Sequence, residues 1–453
     1  MMNVAGTLNA GAPISGVYNL DVSGTMNSQS RIAGTNSLTV GGMLTVTNNL
    51  SGFNNITVNG SLTVGGSLTS IGNLAVNGSI NVAGVVSASG SLTVNGSGTI
   101  NGNISGVNSM NVAGSLTAGG TISGFSNLTV GGLLNANGSV SGLTSMYVSG
   151  TMNAAAGVSA VVSSDGAFQI SGTLTMNGGL LSVSRSNGGL AGSLNGPGRL
   201  RLLSGARLDV SGTGSYFNVN SGATLETVAN SYVQGSGVLN VNDGATLIIT
   251  SPEGIQQNTL AGNVRTEGQD NYSSGAYYVY TAAFNQITGD ALPDVITGGL
   301  SVSSATILTR DRNISFNWPG TLTVNGYFIP ADSVTISGNG TLTGQGAVVV
   351  TRVNTASDFY DQYAVVNKNI TSLFVEYRGQ ATQSISPINY YKLRVNNPYG
   401  VYLKKSVLVF GQLVMKSGRF YLGRRNLTLS ENATLIAESP FSINNMIVAD
   451  SVG

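Results

Sequence analysis

The chain has no cysteine and no histidine among its 453 residues. Those two absences remove disulfides, thiol nucleophiles, imidazole bases and the usual zinc sites. Charge is scarce as well, at 8% of residues where about 25% is usual. The net charge of +1 gives no field to attract nucleic acid or acidic lipid, and no basic stripe compensates. No run of about 18 apolar residues occurs, so no membrane-spanning helix is expected. The first residues lack the basic and apolar regions of a signal peptide. No Asp-x-Asp-x-Asp calcium loop is present, and no cofactor or metal is expected. What the chain has in excess is glycine, 64 residues, alongside 41% hydrophobic residues, enough to bury a core.

The charge is unevenly placed. Asp21 and Arg31 are the only charged residues before position 161, and none lies between Ile32 and Ser164. That neutral span coincides with a strict repeat whose period is 18. Ile14, Ile32, Leu50, Leu68, Val86, Ile104, Ile122, Val140 and Val158 fall 18 apart without insertion. Glycine follows ten positions after each of the first eight, at Gly24, Gly42, Gly60, Gly78, Gly96, Gly114, Gly132 and Gly150.

Each repeat divides into three hexads, as in Leu50-Ser-Gly-Phe-Asn-Asn, Ile56-Thr-Val-Asn-Gly-Ser and Leu62-Thr-Val-Gly-Gly-Ser67. Apolar residues at the first and third places with Ser, Thr or Asn between them have the alternation of a strand. Gly and Asn close the hexads, where a tight corner often demands positive φ. Three strands and three corners per repeat define an all-β fold, a triangular β-helix or β-solenoid. With coils about 4.8 Å apart, nine of them span roughly 43 Å. The register predicts three inward columns: Leu38, Ile56, Leu74, Leu92, Met110 and Leu128; Val40, Val58, Val76, Val94, Val112 and Val130; Leu44, Leu62, Ile80, Leu116 and Leu134. Handedness is open, since left- and right-handed solenoids carry the same pattern.

The expected organisation is a regular solenoid over 1–160, an irregular continuation over 161–263, and two related modules over 264–351 and 352–453. In the continuation, Gly205-Ala-Arg-Leu208, Gly222-Ala-Thr-Leu225 and Gly244-Ala-Thr-Leu247 are spaced 17 and 22 apart, which predicts coils varying between those two lengths. The modules align Tyr278-Val-Tyr280 and Gln286-Ile-Thr288 with Val375-Glu-Tyr377 and Gln383-Ser-Ile385, an offset of 97. Val407/Val409 and Leu427/Leu429 predict a coil of 20.

Within the modules, the runs Phe374-Val-Glu-Tyr-Arg-Gly-Gln-Ala-Thr-Gln-Ser-Ile385, Tyr390-Tyr-Lys-Leu393, Ser417-Gly-Arg-Phe-Tyr-Leu-Gly-Arg-Arg-Asn-Leu-Thr-Leu429 and Asn444-Asn-Met-Ile-Val-Ala-Asp450 resemble repeat units of giant surface proteins of Bacteroidota. The resemblance covers roughly 264–453. It implies export by the type IX pathway, an extracellular or cell-surface location, and a role as adhesin, gliding-related fibre or filament component. Met2-Asn-Val-Ala-Gly6 repeats Met110-Asn-Val-Ala-Gly114 in register, which suggests a chain entered in mid-coil, a fragment or processed piece.

Candidate sites each have a plainer reading. Nine coils without a charged gatekeeper leave edges and faces open to other copies of the chain, or else form a neutral spacer. Thr39, Thr57, Thr93 and Thr129, interrupted by Ala75 and Asn111, read as strand formers before they read as an ice-binding row. Lys404, Lys405, Arg424 and Arg425 form a solvated corner or a contact for anionic glycans or a neighbouring subunit. Tyr277, Tyr278, Tyr280, Tyr390 and Tyr391 are aromatic caps or sugar-stacking platforms. For catalysis the carboxylate pairs to examine are Asp290 with Asp294 and Asp358 with Asp361, in ordinary turn contexts; no enzyme is expected. The reading is a self-associating structural protein of an extracellular filament, appendage or adhesin stalk, with a glycan-binding adhesive module as the alternative.

Overall fold

The computed structural model describes residues 1–124, 126–155, 158–160, 168–170, 173–177, 180–184, 192–203, 205–211, 214–257 and 260–449. Parts of the expected continuation over 161–263, chiefly before 192, and Asp450 at the end of the family-like run, lie outside them. The chain forms two compact units, Met1–Asn240 with Val264–Asp270, and Val241–Asn263 with Asn271–Gly453. Each is a parallel β-solenoid whose turns recur about 19 residues apart.

The first unit shows how the hexad builds a coil. Leu68–Ile71, Asn73–Val76 and Ile80–Val82 are its three strands. Each pairs in parallel with its counterparts in the neighbouring repeats: Leu68 with Leu50 and Val86, Leu74 with Ile56 and Leu92, Ile80 with Leu62. Every residue of the three predicted inward columns is buried. Burying one such side chain is worth about 1.5–3 kcal/mol. Stacking like on like places each apolar group on another of the same shape.

The corners differ from expectation in two respects. The first corner of each coil is a bend within one sheet: Ile14–Val22 and Ile32–Val40 run through it as single strands. It is here that positive φ occurs, at Gly52 (+84°), Ser70 (+55°), Gly106 (+69°), Gly124 (+80°) and Gly142 (+78°). The invariant column from Gly24 to Gly150 has no positive φ at all. Its glycines are required because successive coils meet backbone to backbone. A Cβ on Gly96 would stand 2.1 Å from the Gly78 carbonyl oxygen, and one on Gly150 2.0 Å from that of Gly132.

Coils also lengthen beyond the strict repeat. Leu200 pairs with Leu225 and Leu208 with Val233, both 25 apart. The interval of 17 from Leu208 to Leu225 therefore connects two faces of the coil and is not a coil length. The Gly-Ala-x-Leu signature marks a turn entering a strand, and one coil contains more than one such turn.

In the second unit the expected coil of 20 is present, with Val407 opposite Leu427 and Val409 opposite Leu429. The two aligned module segments occupy different faces. Tyr277–Tyr280 lies between Thr246–Ile249 and Gly299–Val302. Phe374–Tyr377 instead lies between Ala347–Val350 and Tyr390–Asn396, in the column that starts at Asn285–Ile287. The step between partners on that column is uneven, longer from Val348 to Val375 than from Val375 to Leu393, so an offset of 97 need not return to the same face.

Local chemistry is nevertheless shared. Gln286 Nε2 donates to the carbonyls of Ile249 (3.3 Å) and Ser251 (2.8 Å), while its Oε1 accepts from Ala282 N (3.0 Å). Gln383 does the same with Val350 (2.9 Å), Arg352 (2.7 Å) and Gly379 N (2.8 Å). Each buried amide adds a second bond to the last ladder carbonyl, which Thr281 N or Arg378 N also reaches, and bonds the Ser251 or Arg352 carbonyl and the Ala282 or Gly379 amide where the chain leaves the strand.

Candidate functional site

Surface features on both units merit functional reading. On the first unit, alternation turns small neutral side chains outward. Thr45, Thr63, Asn81, Thr99, Thr117, Asn135 and Asn153 are consecutive partners in one column. Thr39, Thr57, Ala75, Thr93, Asn111 and Thr129 form another. Corner asparagines bond along the axis, with Asn77 Nδ2 donating to Asn59 Oδ1 (3.0 Å) and Asn95 Nδ2 to Asn77 Oδ1 (2.7 Å). A hydroxyl bond joins Ser79 to Ser61 at 2.7 Å. The sequence reading names the Thr39 row but does not reach the Asn and Ser ladders of the corners, although Asn at 59, 77 and 95 shows the same period of 18.

Charge reappears beyond this face. Arg201 lies directly opposite Glu226 across neighbouring strands. Its Nε donates to Oε2 at 2.8 Å, and Arg199 Nε donates to the same oxygen at 3.0 Å. Burial pushes the Glu226 carboxyl up, but the hydrogen bonds and charges of Arg201 and Arg199 outweigh it and hold it below the usual value. A depressed carboxyl contributes stability that is present above its unfolded pKa of about 4.3 and is lost as pH falls through its folded value. Both arginines are more than a third exposed, which limits the effect to about 1 kcal/mol. Acid titration of the first unit's stability is therefore expected to decline less steeply below about pH 4.3 in Glu226→Gln than in the unmodified chain. Identical acid slopes in urea midpoints would show that the cluster contributes nothing.

The second unit has a cleft of about 490 Å³. Its floor is the outward row Ile287, Thr309 and Ile329 on successive strands, and Gln256, Asp290 and Asp311 stand at its rim. Of the two carboxylate pairs, Asp290, Asp294 and Asp358 are engaged in the fold. Asp290 accepts from Gln257 N (3.0 Å), and Asp294 is paired with the buried Arg310 and lies 3.8 Å from Arg312. Asp358 is buried and accepts from the Thr355 hydroxyl, Thr355 N (3.1 Å) and Ser384 N (2.6 Å). Burial raises its pKa against those hydrogen bonds. Asp361 is exposed.

The tyrosines divide. Tyr278 and Tyr280 are buried, donating to the carbonyls of Ser273 and Thr288, both at 2.6 Å. Tyr390, read as an aromatic cap or as an assembly or ligand contact, is wholly buried, which places it in the interior and not on a contact surface. Its hydroxyl closes a ring: Ser386 N donates to Tyr377 (2.9 Å), Tyr377 bonds Tyr390 (2.9 Å), and Tyr390 donates to Ser386 O (2.8 Å). Burial pushes Tyr377 up to about 12. Tyr277 and Tyr391 are about half exposed, Tyr391 beside Phe410.

Lys404, Lys405, Arg424 and Arg425 are all exposed, and the structure brings them together at one corner, where Arg425 Nε donates to the Lys404 carbonyl at 2.9 Å. Sequence reading missed the half-buried Tyr402 and Tyr421, paired directly beside that corner. Among the described residues no cluster of three or more carboxylates could hold a metal ion, and no helix is long and apolar enough to cross a membrane.

Ladders, corners and faces together define a parallel β-solenoid whose chemistry lies on its outer surface. No protein family, curated protein or solved structure matches the chain.

Proposed function

We propose that the protein is a structural building block of an extracellular filament, appendage or adhesin stalk, and that it self-associates through its uncharged solenoid face. The supporting observation is that face itself: outward columns made mostly of Thr and Asn from Thr39 to Asn153, in a stretch of sequence that carries no charged residue from Ile32 to Ser164. Packing such a surface against another copy buries no unpaired charge, the term that most often forbids association. Its hydroxyl and amide rows repeat at the strand spacing of about 4.8 Å and so are commensurate with the same rows on a second copy. Continuous backbone ladders suit a load-bearing role, since force along the axis is shared among many hydrogen bonds.

Electron microscopy of the purified chain at neutral pH and moderate salt tests this. Ordered filaments or rings are expected, and a Thr63→Lys/Thr99→Lys variant, charged on the outward column, is expected to yield single particles with an unchanged β spectrum. Single particles of the unmodified chain at every concentration tried would refute the reading.

A further inference from the structure

We propose that the corner bearing Lys404, Lys405, Arg424 and Arg425, with Tyr402 and Tyr421 beside it, binds an acidic polysaccharide. The site is independent of self-association. It is assembled by the pairing of Val401–Leu403 with Val407–Tyr421, which sets Tyr402 opposite Tyr421. Strand alternation buries Val401, Leu403 and Phe420 and turns the two tyrosine rings outward. Both strands then run into the same corner, which places Lys404 and Lys405 next to Arg424 and Arg425 although the pairs are 20 apart in sequence.

Electrostatics sets this corner apart, because it gathers unmatched cations. Elsewhere in the unit many are matched to carboxylates: Arg310 and Arg312 to Asp294, Arg378 and Arg394 to Glu376, Lys416 to Glu438. Among the described residues none of the four corner cations has a carboxylate partner. Lys404 Nζ lies 5.3 Å from the centre of the Tyr402 ring, and Lys405 and Arg424 are solvated. Four like charges held at one corner repel one another, and an incoming anion relieves that repulsion.

The pairing of charge with aromatic surface selects the anion. A tyrosine ring offers an apolar face and a polar rim, suited to the C–H face and hydroxyls of a sugar ring. Guanidinium groups offer forked donors that match carboxylate or sulfate. A sugar acid presents both features together, its ring face over Tyr402 and Tyr421 and its acid group toward the corner. A polynucleotide would draw on a broad basic surface and a long-range field, and a chain of net charge +1 has neither.

Binding of the purified full chain to immobilised polygalacturonate, dextran and poly(dT) tests the proposal. Polygalacturonate is expected to bind, weakening as salt rises, and dextran is not. Replacing all four cations with glutamine is expected to weaken binding at least about tenfold. Tyr402→Ser/Tyr421→Ser should weaken it about fivefold. Lys405→Gln/Arg424→Gln, which removes two solvated side chains, should show an intermediate loss on an undisturbed fold. Lys392→Gln, a charge lost on another face, should change nothing. No binding to polygalacturonate, binding indifferent to the cation or tyrosine variants, or poly(dT) bound as tightly as polygalacturonate would each overturn it.

Discussion

Gly132→Ala is expected to lower the unfolding free energy of the first unit by about 2–3 kcal/mol. Gly131→Ala, one position away, is expected to be neutral or to stabilise by up to about 1 kcal/mol. The contrast follows from where a methyl group would go. At Gly132 a Cβ would stand 2.1 Å from the Gly114 carbonyl oxygen and 2.5 Å from that of Ala113, both backbone atoms of the coil below. Backbone cannot rotate aside as a side chain can, so two coils must separate and strain the ladder bonds on either side. At Gly131 the nearest atoms lie 3.8 Å away, ordinary contact, and φ is not positive. Alanine there only restricts the unfolded chain. Urea midpoints of the two variants, with hydrogen exchange at Gly114 and Leu133, check both the size and the location. Equal effects would mean that the glycine column is kept along the repeat for some reason other than backbone approach.

The second large effect is expected at Gln383→Leu, about 3–5 kcal/mol of destabilisation in the second unit. Leucine is close in volume, so the loss is one of hydrogen bonding. It strands the carbonyl of Arg352 and the amide of Gly379, takes the second bond from the Val350 carbonyl, which keeps Arg378 N, and removes one of the two acceptors that Asn397 Nδ2 meets. The Gly379 amide and the Asn397 side chain are buried, so water does not replace their lost partner without a local opening. Gln286→Leu should behave alike, because it brackets backbone groups in the same manner. Gln412→Leu, at a half-buried position, is expected to stay within about 0.5 kcal/mol. Denaturant midpoints for the three variants separate the cases; a Gln383 variant as stable as the Gln412 variant would show that water takes over the bracket.

The inward columns were legible because repetition at a fixed interval leaves one register in which every apolar residue is buried at once. Leu38, Val40 and Leu44 each predict their successors, and the structure buries them all. Past that region the interval varies, and turn signatures become poor rulers: Leu208 and Leu225 look like successive rungs yet lie on separate faces. The basic corner was half legible. Its cations could be matched by their spacing of 20, but the tyrosine pair beside them could not, because it depends on Tyr402 pairing with Tyr421 at 19.

Tyr390 shows why parity alone fails. Counting back from the inward Val395 and Leu393 by twos places Tyr391 in the core. The strand pairing slips between Tyr390 and Lys392, where Tyr390 meets Val409 and Lys392 meets Gln412, so the partner strand carries an extra residue. That bulge reverses the alternation, burying Tyr390 and exposing Tyr391.

Period and residue type are enough to specify the solenoid, the coil length of its first part, the identity of its core and the neutrality of one long face. Why the corner glycines must be glycine, which tyrosines are interior, and which cations stand together without a counter-charge emerge only when coil is stacked on coil. Those outcomes depend on how closely one coil approaches the next and on the register at each rung, distances that no single coil's sequence contains.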